Sequence, residues 1–465
     1  MSPQKNTLVV TLASIVVFLA AIAGTFFLWH RAAANKLERA RQAIRGAGLP
    51  ETLADLVRQP VPDERNAAIP LAEAGRLAKK IPRESPALGG KPQAEVADPA
   101  SGENEQIEAL RAALSTPEAA GTLNFARKGA ALPTCDFHLD YSKGVCLDLS
   151  PMTSLFQVSK VLAASARLQA SHGKPEGALA DIEVMLRISA FFGEAPSILS
   201  WLMMAGMDKM AIKALTDVVA KCPDLPPNAL DRISRLLEEH RTGAAGALLT
   251  SLDSERIVFG GSVFEGILSG STSPALVLKN LSLGSSPASF EEMLLTQLSN
   301  LYAMPDSPLL LADYARYLEY MTAMRLSVAS PERPLPDVAL SITKIPKTAI
   351  LTRLAAPALG SMGKQLTSYE TTLDLAITGI ALEKFRMANG TYPASLDELA
   401  PLLAHPVPID PYSGSPLIYK NLPDGLLLYS MGENRADDGG NVLGSAGTRD
   451  IVWKIVRPAK SASKQ

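Results

Sequence analysis

The chain has 465 residues, room for about two or three domains, and a hydrophobic content of 47%, ordinary for a globular protein. Its 45 basic and 47 acidic residues leave a formal net charge of −2, which gives no electrostatic case for nucleic-acid binding. Three cysteines exclude a disulfide scaffold, and an aromatic share of 5% beside abundant Ala and Leu leans helical.

Leu8 to Trp29 carries no charge and is long enough to cross a bilayer core as a helix. A cleaved signal peptide is the rival reading, with Ala21-Ile22-Ala23 as its small-residue site. The apolar run continues through Thr25 to Trp29, however, where a signal peptide turns polar, so the segment reads as an uncleaved anchor. Trp29 and His30 fall at the membrane interface. Arg31 to Arg45 is rich in helix formers, and Gly46, Gly48 and Pro50 end it. One helix is therefore expected from Thr7 to Arg45, roughly 60 Å long and half of it projecting from the bilayer.

Segments 47–130 read as helices and a flexible linker. Glu51 to Arg58 and Glu64 to Lys80 are short helices, Pro82 to Gly102 is the Pro- and Gly-rich linker, and Asn104 to Lys128 is helical with a break near Pro117. Residues 131–345 read as an α-helical domain. It opens on a polar stretch in which Cys135 and Cys146 bracket a turn at Ser142-Lys143-Gly144. In an oxidising compartment the two cysteines could close a hairpin by a disulfide. They read equally well as unpaired thiols, and a zinc set with His138 and an Asp lacks its second half-site.

Leu155, Val158, Leu162, Ala166 and Gln169 form one helical stripe, and Ala178, Ile182, Met185 and Ile188 form a second beyond a turn at Gly173 and Pro175. This pair is similar to one tetratricopeptide-like unit. No repeat period follows, so the domain is read as irregular or as a degenerate helical solenoid. Further helices are expected at Ile198–Val219, Asn228–His240 and Thr242–Leu268, the last with Asp253, Glu255 and Arg256 as a charged group that burial would pair. Ser269 to Ser289 reads as a loop, Phe290 to Val328 as helix interrupted at Pro305 to Pro308, and Ser330 to Pro346 as a proline-bearing linker. No nucleophile elbow, metalloprotease helix, phosphate loop or dinucleotide fingerprint occurs. The histidines, at 30, 138, 172, 240 and 405, stand at no metal-ligand spacing from one another, and each reads as solvated or structural.

Residues 346–457 form a small α+β unit. Leu366, Tyr369, Leu373, Ile377 and Ile380 give a helix, Gly390 its left-handed stop, and Ser395 with Glu398 a capping box. Asp410-Pro411 is a turn, Leu417–Lys420 and Leu426–Ser430 a strand hairpin, and Asp450–Val456 a third strand. Residues 458–465 read as a disordered tail. Phe385, Asn389-Gly390, Tyr392-Pro393, Leu396, Asp410-Pro411, Leu417 to Tyr419, Leu428-Tyr429-Ser430, Gly432 and Asp437-Asp438-Gly439 together resemble the C-terminal half of type II secretion major pseudopilins. The whole chain also resembles bacterial envelope proteins with an N-terminal anchor, a helical middle and this tail. The start departs from the pseudopilin pattern, since Pro3 to Leu8 lacks the processing motif with its glutamate, and most of the chain separates the anchor from the tail helix. The resemblance thus covers a module. It implies calcium at the acidic loop, where Asn434, Asp437, Asp438 and Asn441 offer hard oxygen ligands; the residues by themselves read as a solvated turn.

Arg31, Lys36, Arg39, Arg41 and Arg45 after the span would by the positive-inside rule hold the body in the cytoplasm. The short N-terminal tail, the cysteine pair and the resemblance favour the opposite: a single-pass bacterial inner-membrane protein with a periplasmic body. It is expected to meet the lipid bilayer through Leu8 to Trp29 and other envelope proteins through its body, beside a secretion or pilus-like system, and not to be an enzyme. A helical adaptor whose tail is only a cap, and an enzyme with an unrecognised site, are the alternatives.

Overall fold

A computed structural model describes residues 3–56, 61–81, 99–274, 277, 302, 304, 307–332, 345–441 and 450–457. The expected linkers at Pro82 to Gly102 and Ser330 to Pro346, the loop at Ser269 to Ser289 and the start of the helix at Phe290 lie largely outside these residues, and the terminal tail wholly so. The chain is mainly helical, with one three-stranded sheet near its C-terminus. Helix α1 spans Pro3–Gly46. Helices α2 (Ala68–Ala78), α3 (Pro99–Leu114) and α4 (Pro117–Ala130) follow, the last opened by Thr116, whose side chain accepts from the Ala119 amide. Then come α5 (Leu155–Ser171), α6 (Pro175–Glu194), α7 (Ile198–Lys221) and α8 (Pro227–Phe259). After α8 the helix widens into a π turn at Gly260–Glu265. Helices α9 (Pro308–Ala329), α10 (Ile350–Gly360) and α11 (Met362–Asn389) complete the helical part.

Both expected stripes on α5 and α6 are buried, with Gln169 half-buried at the turn. Gln169 Nε2 donates to Asp181 at 2.6 Å and to the Gly177 carbonyl at 3.2 Å, so the polar end of the stripe closes the hairpin. The expected break between His240 and Thr242 does not occur. Packing against α6 and α11 outweighs the helix cost of Gly243 and Gly246, and α8 is continuous. Of the segment expected as a helix at Glu51 to Arg58, the described residues 51–56 hold a short 3₁₀ turn at Leu53–Asp55 and no α-helix.

Two halves of α1 differ. Its most apolar stretch has a mean hydropathy of 2.3, and none of it is buried. Farther on, Ala33, Leu37 and Ile44 share one face and are buried against α9. The helix does project beyond the span as expected, but its apolar face is taken up by the body.

Strands β1 (Ile418–Leu422), β2 (Gly425–Ser430) and β3 (Ile451–Val456) form an antiparallel meander in that order. Leu422 pairs with Gly425, so the first hairpin turns tightly over Pro423-Asp424, and Leu428 pairs with Trp453. Leu426, Leu428, Trp453 and Ile455 are buried in the same core as α11. The closest approach is at Gly379, where a Cβ would stand 2.4 Å from the Trp453 ring. Gly390 ends α11 at φ 78°, and the Ser395–Glu398 capping box forms as the spacing requires.

The sheet is not hung on the helices as a separate body. Lys384 pairs with Asp231 of α8 at 2.6 Å, Arg241 of α8 holds Asp374 at 2.7 Å and Glu370 at 3.3 Å, and Arg457 after β3 reaches Glu383 at 2.8 Å. A single cluster of buried apolar residues runs from Ala33 to Ile455.

Candidate functional site

The acidic loop leaves β2 at Ser430. The Asp410-Pro411 turn fixes that exit: Asp410 Oδ1 accepts from Ser430 Oγ at 2.8 Å, and Oδ2 from the Met431 amide at 3.1 Å. Arg435 then adopts a positive φ of 56°, and Gly439 and Gly440 follow at 74° and 78°. This curls the loop back so that Gly440 abuts Leu427 on the sheet. Asn434 Nδ2 donates to Asp438 Oδ2 at 2.8 Å. Asp437 Oδ1 accepts from Tyr429 at 2.8 Å and from the Gly439 amide at 2.9 Å, and these donors hold its carboxyl below the usual carboxylate range, the Gly439 amide foremost. Asn441 is exposed at the end of the described loop.

Asn434, Asp437 and Asp438 are thus tied by hydrogen bonds within the loop and to β2. Asp450, read from the sequence only as the start of β3, joins them. It is buried, its Oδ2 accepts from the Gly440 amide at 2.7 Å, and its Oδ1 has no partner among the described residues. An acidic residue directly before an apolar strand was the available signal. The donors are oxygens of the kind calcium takes. Among the described residues, no three His, Cys, Asp or Glu side chains stand close enough to share a metal ion, and residues 442–449 of the loop lie outside them.

The cysteine segment is not a hairpin. Residues 135–140 are irregular, with His138 at a positive φ of 51°, and Tyr141–Cys146 is a 3₁₀ turn. Cys135 is a free, half-buried thiol that burial pushes well up, and the side chain of Cys146 lies outside the described residues. His138 pairs with Asp136 at 3.2 Å instead of turning to Cys135.

A cleft of ≈ 740 Å³ opens where the end of α1, the turn at Leu53, the turn at Lys143 and the π turn meet. π turns recur at functional sites because they break the helical hydrogen-bond ladder. Here most of the lining charges are paired. Arg41 stands 3.2 Å from Glu265 and 5.5 Å over the Tyr314 ring, while Tyr314 donates to Glu265 at 3.0 Å. Arg256 donates to the Pro50 carbonyl at 2.6 Å and pairs with Asp253, which also holds Arg325. The expected pairing of the charged group on α8 therefore holds for Asp253 and Arg256. Glu255 stands apart: among the described residues nothing hydrogen-bonds its half-buried carboxyl, and burial raises its pKa to about 7.

The deepest polar cluster joins α6, α7, α8 and α11. Asp208 accepts from Ser189 on one oxygen, and on the other from Tyr369 and from His240 Nδ1 at 2.6 Å. Ser, His and Asp meet, yet the serine is bonded to the aspartate and not to the imidazole, so the serine–imidazole hydrogen bond of a nucleophilic triad is not made. Burial disfavours the charged His240, and Asp208 more than offsets this, leaving its pKa raised. Among the described residues its buried Nε2 has no well-formed hydrogen bond, although the Leu186 backbone also helps to raise the pKa. Of the other histidines, His172 meets Arg111, and His405 meets Glu238 through Nε2 at 2.9 Å and the Pro406 carbonyl through Nδ1 at 3.1 Å.

Comparison with family models, with curated proteins and with solved structures returns no match for this chain.

Proposed function

We propose that the chain is a single-pass membrane-anchored envelope protein whose body lies outside the inner membrane and acts by protein–protein contact, in the setting of a secretion or pilus-like system. The observation that carries this reading is the division of α1: an apolar stretch with no part buried, continuous with turns locked into the body. An apolar helix left wholly in water would be a large exposed liability, and a bilayer removes it.

The cations after the span argue for a cytoplasmic body by the positive-inside rule. Lys36 with Glu319, Arg41 with Glu265, and Arg45 with Glu38 and Glu51 have another reason to be there, since each fastens α1 to the body or to its own end. Alkaline phosphatase fused after Val456 tests the orientation. Active fusions support the reading; an inactive fusion, with membrane retention after carbonate washing, would place the body in the cytoplasm. Calcium at the acidic loop belongs to the same proposal, supported by the buried Asp450, which accepts from the Gly440 amide of the loop through one oxygen and whose Oδ1 has no partner among the described residues.

A further inference from the structure

Lys36 of α1 faces Glu319 of α9 at 3.7 Å, and Arg41 lies 5.5 Å over the ring of Tyr314. A step forward from Lys36 to Arg41 therefore matches a step of equal length back from Glu319 to Tyr314. The two helices run antiparallel, and their register can be carried along both axes. Trp29 is one heptad before Lys36, and Leu326 is one heptad after Glu319, each about 10 Å along its helix at 1.5 Å per residue. Leu326 thus lies level with Trp29, the last residue of the apolar run. His30 is half-buried while the residues before it are exposed, which fits the end of α9 reaching that height.

Leu326 is 63% exposed. It belongs to an outer stripe of α9 with Arg316, Glu319 and Ala323, polar where it flanks the paired part of α1 and apolar only at the level of the span's end. Arg325, next to it, is turned inward onto both oxygens of Asp253 at 3.0 and 2.9 Å. The charge at that turn is drawn into the body and the leucine is left outside. Arg31 on α1 stands exposed one residue beyond the interface, where a cation meets lipid phosphate.

We infer that the C-terminal turn of α9 is a second membrane contact, with Leu326 seated in the headgroup–acyl boundary of the leaflet that Trp29 marks. The partner is the bilayer surface, and the body rests on it. This rests on the anchor reading of α1. The test uses the full chain in phospholipid nanodiscs with an environment-sensitive fluorophore on Leu326→Cys, on Phe18→Cys within the span, and on Lys143→Cys at the cleft. The parent chain, treated identically, supplies the background from its own cysteines. Lipids carrying a nitroxide at headgroup depth should quench the label at 326 at least twofold more than the label at 143, with blue-shifted emission. A water-like signal at 326 beside a lipid-quenched label at 18 overturns the contact and leaves the anchor standing. Water-like signals at both overturn the anchor and the contact with it.

Discussion

His240 Nδ1 stands 2.6 Å from Asp208 Oδ2 in the centre of the helical core, and Tyr369 of α11 shares that oxygen. Helices far apart in sequence are thereby joined through one carboxylate. Because the His240 pKa is raised in the fold from its usual 6.5, its contribution is complete below about pH 6.5 and is lost as pH rises through the higher folded value. Thermal melts of the parent and of His240→Gln should therefore differ more at pH 6 than at pH 9. An equal gap at both pH values would show that the imidazole is neutral in the fold.

Glu255 gives the opposite sign. Its folded pKa of about 7 lies above the ordinary 4.5, so the cost to folding grows as pH rises from 4.5, is complete above about 7, and is absent below pH 4.5. Glu255→Gln should stabilise the protein at pH 8 by on the order of 1–3 kcal/mol and change little at pH 4.5. Urea denaturation at the two pH values measures this; equal stability of both chains at pH 8 would mean the carboxylate is well solvated.

Gly379 has no room for a methyl group beside Trp453. Gly379→Ala gains helix propensity yet must move the indole, and a net loss of about 1–3 kcal/mol is expected in chemical denaturation. Trp453→Phe, which lacks the ring atoms that the new methyl meets, should recover part of that loss in the double variant. Additive losses would place the strain elsewhere.

Removing Met362 to Gln465 would strip α11 from α8, leaving Arg241 and Asp208 without Glu370, Asp374 and Tyr369. The expected product is insoluble or protease-labile. A truncated chain that folds and melts cooperatively would restore the adaptor with a dispensable cap.

The paired substitution Asp437→Ala with Asp438→Ala tests calcium at the acidic loop. It should abolish a calcium-dependent rise in melting temperature while leaving the melt in chelator within a few degrees of the parent. Equal loss with and without calcium would reduce the loop to a hydrogen-bonded turn. Asp450→Asn, which keeps the shape of the side chain but removes its charge, should also weaken the calcium effect.

The tail was legible because its signals are local: the stop at Gly390, the box at Ser395 and the hairpin turn around Pro423 each act within a few residues. The buried stripes of α5 and α6 were legible because period alone defines them. What escaped depended on distance. The run of α8 through Gly243 and Gly246 is set by its neighbours on α6 and α11. Asp450 gains meaning only when the loop returns to Gly440, and Asp208 only when Tyr369 arrives from the far side of the chain. Cys135 and Cys146 suggested a hairpin because spacing was all that could be weighed, whereas the backbone there turns as a 3₁₀ helix.

Helix α1 has no proline between its first turn and Gly46, and the apolar stretch passes into the packed turns without a break. For a chain anchored as proposed, this leaves no hinge between lipid and body. A bilayer that thins or thickens makes a span change its tilt. Through α1 that tilt becomes a rotation of everything fastened to Ala33, Leu37 and Ile44, and the seating of Leu326 would rise and fall with it. The anchor is then also a lever, and membrane thickness sets the angle at which the body is presented.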